Sequence, residues 1–275
     1  MFLSKIYQLK PDRSLVNWAR QLGHIVQRES ALVLESASMN EKKTLLLASN
    51  SPRRRELLAF TGLSFNVAAA DVDESILPNE APADYVLRLA EVKARASSSS
   101  PLAPSASGEE TSLENMRGLI VIGSDTAVVD AGEILGKPRD AREAESMLRQ
   151  LRGRTHQVYT AVAFYDVASD QVLSELSISD VPMRDYSDAE LEAYVQTGDP
   201  MDKAGGYAIQ NAEFHPVDEF AGCYASVMGL PMCHVVRNLK KLGVEPESNI
   251  PQLCQSSLNY DCSVYGAILR DEKFG

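Results

Sequence analysis

Three arginines stand in a row, Arg53, Arg54 and Arg55, directly behind Ser51-Pro52 and ahead of the apolar Leu57-Leu58. Ser is a favoured helix N-cap and Pro suits the first helical position. The apolar run Leu45-Leu46-Leu47 upstream, ending in the short loop Ala48-Ser49-Asn50, therefore predicts strand, loop and helix N-terminus. Such a terminus presents unpaired N–H groups and the positive end of the helix dipole. Arginines placed there suit a phosphate, and several suit a polyphosphate. The competing reading is a solvated charge run, which Arg55 and Glu56 would satisfy without any ligand.

Other segments carry side chains of matching chemistry. Asp125 follows the strongly apolar Leu119-Ile120-Val121-Ile122-Gly123, and a carboxylate beyond a strand end is a common catalytic placement in α/β sheets. It is equally a turn-forming residue. Thr126 beside it either bonds a ligand or shapes the turn. Lys137, in Gly136-Lys137-Pro138, sits where glycine permits close approach and proline stiffens the chain. Lys93 lies on an amphipathic helix, where a snorkelling surface lysine is the alternative. Glu74, in Asp71-Val72-Asp73-Glu74, adds acid near the basic loop, and a carboxylate there could help hold Mg²⁺ against a triphosphate. The loop Asp199 to Gln210 combines an Asp202-Lys203 pair, Gly205-Gly206 and the amide of Gln210, which can both donate to and accept from the edge of a base. A glycine turn with a surface ion pair reads the same residues without a ligand. The four histidines have no metal-ligand spacing, and P-loop, dinucleotide and nucleophile-elbow motifs are absent from the sequence.

These residues need a frame. Residues 1–43 read as an extension with a helical stretch near Leu15 to Leu34. Phe65 to Ala68 reads as a second strand after a Thr61-Gly62 helix stop. Ala83 to Ala96 is a helix by apolar spacing, and the Ser-rich stretch 97–117 is an insertion. Leu119 to Gly123 is a buried strand. Ala127 to Val129 and Glu133 to Leu135 flank the hairpin turn Asp130-Ala131-Gly132. Asp140 caps a helix to Leu151, two strands follow at Val158 to Tyr165 and Val172 to Val181, and Ser187 with Glu190 forms a capping box. Pro231 to Leu242 is a further helix, and 244–275 reads as a polar tail. Alternation broken by hairpins predicts a mixed α/β sheet.

Composition bounds the partners. The 275 residues carry a net charge of −11, with 44% apolar and 24% charged residues, which is ordinary for a globular protein. An acidic chain does not favour stable nucleic-acid binding, so a small anion needs a local positive pocket. No apolar run reaches membrane-spanning length, and no signal-type apolar core follows the first charged residues, so a cytoplasmic location is expected. Cys223, Cys233, Cys254 and Cys262 form no C-x-x-C pair; free thiols are expected, with a Cys254–Cys262 disulfide left open.

Taken together, the blocks Leu47 to Leu58, Ile122 to Thr126, Gly136 to Pro138, Asp202 to Tyr207 and Ser226-Val227-Met228-Gly229-Leu230-Pro231 resemble the Maf family of nucleoside triphosphate pyrophosphatases. The resemblance runs from about Leu45 to Leu242, which places a Maf-like domain at 44–243. It implies a mixed, elongated twisted sheet flanked by helices, with two lobes and a central cleft, similar to inosine triphosphate pyrophosphatases. It implies hydrolysis of a nucleoside triphosphate to monophosphate and pyrophosphate with Mg²⁺ or Mn²⁺. Asp125 matches the proton acceptor, Glu74 a metal-site acid beside it, and Arg54, Lys93 and Lys137 the basic positions. Ser49 and Lys203 fall among substrate-contacting positions. Arg53, Thr126 and Gln210 match the specificity positions of a dTTP/UTP branch, and Asp125-Thr126 stands where a 7-methyl-GTP branch has Asp-Gln. Departures are Ser124 and Gly206, where alanine is common. A homodimer is a further implication. The alternatives are a nucleotide-binding regulator of septum formation and a 7-methyl-GTP-type enzyme.

Overall fold

The computed structural model describes residues 43–98 and 118–271. The predicted helix near Leu15 to Leu34 and most of the Ser-rich stretch lie outside those residues. In chain order the elements are β1 (Thr44–Leu47), α1 (Pro52–Ala59), β2 (Phe65–Val67), α2 (Pro82–Ser98), β3 (Leu119–Asp130), β4 (Glu133–Leu135), α3 (Ala141–Leu151), β5 (Thr155–Asp166) and β6 (Gln171–Pro182). They continue with α4 (Asp188–Gln196), the 3₁₀ turns Asp199–Asp202 and Ala204–Gly206, then α5 (Tyr224–Val227), α6 (Met232–Lys241), α7 (Ile250–Leu258) and α8 (Tyr265–Leu269).

The strands form one mixed sheet in the order β2-β1-β3-β5-β6, with β4 paired to the far half of β3. β1 runs parallel to both β2 and β3, while β5 lies antiparallel between β3 and β6. Side-chain alternation sorts the core onto two faces. Leu45, Leu47, Ile120 and Ile122 join one apolar cluster with Leu57 and Leu58 of α1. Leu46, Val121, Ala127 and Val129 join another with Val86, Ala90 and Ala94 of α2.

Local signals act where expected. Ser51 caps α1 by accepting from Arg54 N, Asp140 caps α3 by accepting from Glu143 N, and both halves of the Ser187–Glu190 capping box are present. Gly62, Gly198 and Gly243 follow helices in the left-handed region.

Three expectations are corrected. β3 does not end at Gly123; it continues through Ser124, Asp125 and Thr126 to Asp130. Its ladder with β5 is unbroken from Ile120 to Val129, which holds the polar triplet in extended backbone. Ser97 and Ser98 belong to α2 rather than to an insertion, and the buried Ser97 hydroxyl accepts from Ala70 N. Residues 244–271 are not merely a polar tail. They build α7 and α8, bury Ile250, Ala267 and Ile268, and belong to the compact unit that begins at Lys43. All four cysteines are free.

Candidate active site

β1 stops pairing with β3 at Leu47 opposite Ile122, whereas β3 runs on for eight residues. Where β3 outruns its neighbour, its even-numbered face lines a cleft of about 500 Å³ through Thr126 and Val128, and Lys93 and Glu74 border the same cleft. Asp125 and Thr126 stand just past that point on opposite faces. Odd-numbered residues of β3 point toward α2, so Asp125 meets Lys93. Even-numbered residues point toward α1, so Thr126 meets Arg54.

On the α2 side, Lys93 Nζ lies 2.6 Å from Asp125 Oδ1 and 2.7 Å from Glu74 Oε1. One ammonium thus joins two carboxylates that are 51 residues apart in the chain. Asp125 itself is buried beneath Lys93, while Glu74 and Lys93 border the cleft. Burial raises the Asp125 pKa above the usual carboxylate value, against the opposing pull of Lys93 and Arg54. For Glu74, burial also disfavours the charge, but the Lys93 hydrogen bond and charge overcome it, and the pKa falls. α2 fixes the Glu74 loop as well: Tyr85 Oη donates to Glu74 O at 3.1 Å and Arg88 Nη2 donates to Ser75 O at 3.0 Å.

This contact depends on how closely α2 lies on β3. A Cβ at Gly123 would fall 2.1 Å from Ala90 O and 2.9 Å from Ala94 N, both in the α2 backbone. Glycine is therefore what allows the helix to approach.

On the α1 side, Arg54 Nε donates to Gly229 O at 2.9 Å, Nη1 to Ser49 Oγ at 3.3 Å and Nη2 to Thr126 Oγ1 at 3.2 Å. Burial lowers the Arg54 pKa, although Asp125 works the other way; guanidinium stays charged regardless. Gly229 is at φ +108°, and a Cβ there would press on Arg54 Nε and Thr126 Oγ1 at 3.2 and 3.3 Å. Ser124 Oγ lies 2.9 Å from the same Gly229 carbonyl and 2.8 Å from Ala161 O, so its hydroxyl is buried but satisfied.

The 3₁₀ turns supply a third wall. Lys203 Nζ donates to Asp199 O at 2.6 Å, Asp199 Oδ1 at 2.8 Å and Asp202 Oδ1 at 2.6 Å. All three ammonium protons are spent inside the loop, so Lys203 braces it. Asp202 in turn pairs with Arg53 at 3.6 Å. Gln210 and Lys137 border the cleft with exposed side chains. Neither Arg54 nor Lys137 forms an ion pair among the described residues, which leaves two positive charges for an anion. Of the candidate site residues, Ser49, Arg53, Arg54, Glu74, Lys93, Thr126, Lys137, Lys203 and Gln210 border this cleft, and Asp125 lies beneath Lys93. Thr160 was not singled out from the sequence, because its role comes from a cross-strand contact with no local pattern; Ser124 was noted only as a departure from the family pattern and Gly229 only as part of a family block.

A helix N-terminus with unneutralised cations, beside carboxylates joined by a lysine, describes a site for a phosphorylated ligand. The family model described as "Maf: Maf-like protein" matches residues 44–242, and the chain belongs to that family. A curated relative from Geobacter sulfurreducens (strain ATCC 51573 / DSM 12127 / PCA), named dTTP/UTP pyrophosphatase, is 44% identical over 203 residues, covering 74% of this chain and 98% of the relative. A second of the same name, from Hahella chejuensis (strain KCTC 2396), is 43% identical over 204 residues, covering 74% and 94%. Among solved structures, the Ham1 protein of Staphylococcus aureus aligns over 79% of this chain and 98% of its own, at 13% identity and a TM-score of 0.37.

Proposed function

We propose that the chain hydrolyses dTTP and UTP to the monophosphate and pyrophosphate, with water adding at the α-phosphorus and pyrophosphate leaving. The observation that carries this reading is the Glu74–Lys93–Asp125 clamp, with Glu74 and Lys93 bordering and Asp125 buried beneath a cleft that holds two cations without an ion pair among the described residues. The curated relatives described above carry that activity in their names.

In this reading Asp125 accepts the proton of the attacking water. Its raised pKa makes it a better base than an exposed aspartate. Arg54 and Lys137 take the charge of the triphosphate, together with the N-terminus of α1. Gln210 presents an amide to a base carrying two carbonyl oxygens and an N3–H, which is the edge shared by thymine and uracil.

A divalent cation fits the donor set. Among the described residues no cage of three or more ligating side chains exists, but two carboxylates converge at Lys93. Mg²⁺ typically takes one or two carboxylates and completes its shell with phosphate oxygens and water. Glu74 and Asp125 would hold Mg²⁺ or Mn²⁺, which would neutralise the triphosphate and stabilise charge on the leaving pyrophosphate. Four free thiols accord with a reducing compartment, and we assign the reaction to the cytoplasm.

The test is pyrophosphate release by the purified chain over a nucleotide panel with Mg²⁺ or Mn²⁺, alongside Asp125→Asn. Selective cleavage of dTTP and UTP, reduced at least about 100-fold in the variant, is the expected result. Purine preference, or full activity in Asp125→Asn, would refute the assignment.

A further inference from the structure

The Arg54 guanidinium has five N–H groups, and three are taken by Gly229 O, Ser49 Oγ and Thr126 Oγ1. One N–H on each terminal nitrogen is left for a ligand. What holds the guanidinium in that attitude depends on which way the hydroxyl protons point behind it.

Thr160 sits on β5 directly opposite Thr126 on β3 and is fully buried. Its Oγ1 lies 2.9 Å from Ser226 O and 3.1 Å from Thr126 Oγ1. A hydroxyl donates one proton and accepts at two lone pairs, while a carbonyl only accepts. The Ser226 contact therefore requires the Thr160 proton, since two bare oxygens at that distance would repel. Thr160 must then accept from Thr126, and Thr126 accepts from Arg54. The order is unique: Arg54 donates to Thr126, Thr126 to Thr160, and Thr160 to the Ser226 carbonyl. The chain ends at Ser226 in α5, three residues before Gly229, whose carbonyl binds Arg54 Nε, so the relay closes on the same side chain.

We infer that Thr160 is a positioning residue: through Thr126 it fixes the Arg54 guanidinium so that its two remaining N–H groups stay available to the polyphosphate. The inference rests on the proposed pyrophosphatase reading and adds a consequence for Thr126. Its hydroxyl proton is already committed, so Thr126 influences nucleotide handling through Arg54 and not by donating to the base.

Thr160→Val keeps the branched shape of a strand residue and removes both donor and acceptor. Kinetics with dTTP, UTP and CTP should show kcat/KM lowered about tenfold for all three alike, with the preference among them unchanged. Thr160→Ser should restore near-normal values. In an Arg54→Met background, Thr160→Val should cause no further loss. Calorimetric binding of inorganic tripolyphosphate should weaken about tenfold in Thr160→Val, a readout that needs no turnover, and thermal melting confirms that each variant is folded. Unchanged kinetics and binding in Thr160→Val would overturn the inference. So would an undiminished loss in the Arg54→Met background, which would make Thr160 a packing residue. A change confined to base preference would show that Thr126 donates to the base and that the relay runs otherwise. If the parent chain releases no pyrophosphate from any nucleotide, the functional reading fails, while the tripolyphosphate comparison still decides the role of Thr160.

Discussion

Lys93 has two carboxylate partners with different exposures. Asp125 is buried and Glu74 is largely open to solvent, so the same ammonium acts on them unequally. Desolvation dominates at Asp125 and raises its pKa, with Lys93 restraining the rise. Removing that cation leaves a buried carboxylate with less support for its charge. Lys93→Met should therefore shift the acid limb of the pH profile of kcat/KM to higher pH and reduce kcat by about 100-fold at neutral pH. Losing an adjacent positive charge favours the protonated acid, which cannot accept a proton from water. A pH–rate profile of the variant decides this, and an acid limb that stays in place would mean that another group governs it.

At the scale of elements, the site depends on two backbone approaches. α2 rests on β3 at Gly123, and the Ser226-to-Gly229 segment rests on Arg54 and Thr160. In Gly123→Ala the new Cβ meets helix backbone, which cannot swing aside as a side chain could. α2 must shift, carrying Lys93 off Asp125. We expect kcat/KM to fall about 10- to 100-fold, with about 1–3 kcal/mol of lost stability. Kinetics and thermal melting measure both, and wild-type activity in Gly123→Ala would show that the helix approach is not what aligns the clamp. The elements themselves were largely legible in the sequence. Ser51, Asp140 and Ser187 announce helix starts through side-chain chemistry, and the runs at Leu45 and Leu119 read as strands by composition. The two halves of β3 were both legible, at Leu119 to Gly123 and Ala127 to Val129, but their continuity was hidden because Ser124, Asp125 and Thr126 look like a loop. They remain in the strand because β5 pairs with them throughout and the cleft and α2 accept their side chains. Thr160 was invisible for a related reason: only the register, opposite Thr126, makes it part of the site. Lys203 was legible as part of the loop, but its three bonds within the loop could not be read from adjacency alone.

For the whole molecule, a net charge of −11 surrounds a cleft whose floor and walls carry Arg53, Arg54, Lys93, Lys137 and Lys203. Lys203 and Arg53 are largely neutralised by Asp199 and Asp202, and Lys93 by its two carboxylates. Arg54 and Lys137 remain, so the positive potential is narrow and suits a compact polyphosphate better than an extended nucleic acid. Residues beyond the family match at Leu242 add to the same body. Cys254 and Cys262 from that segment share one small apolar cavity with Cys223 and Cys233, and burial pushes the Cys233 thiol up to about 12 and Cys254 up to about 11. Among the described residues no helix is long and apolar enough to cross a membrane. The central claim is that this cleft directs water to the α-phosphorus of a pyrimidine nucleoside triphosphate. Turnover of dTTP in ¹⁸O-labelled water, read by mass spectrometry of the products, tests it most directly. A single ¹⁸O in dTMP and unlabelled pyrophosphate are expected. Label in the pyrophosphate, or release of inorganic phosphate with dTDP, would contradict it.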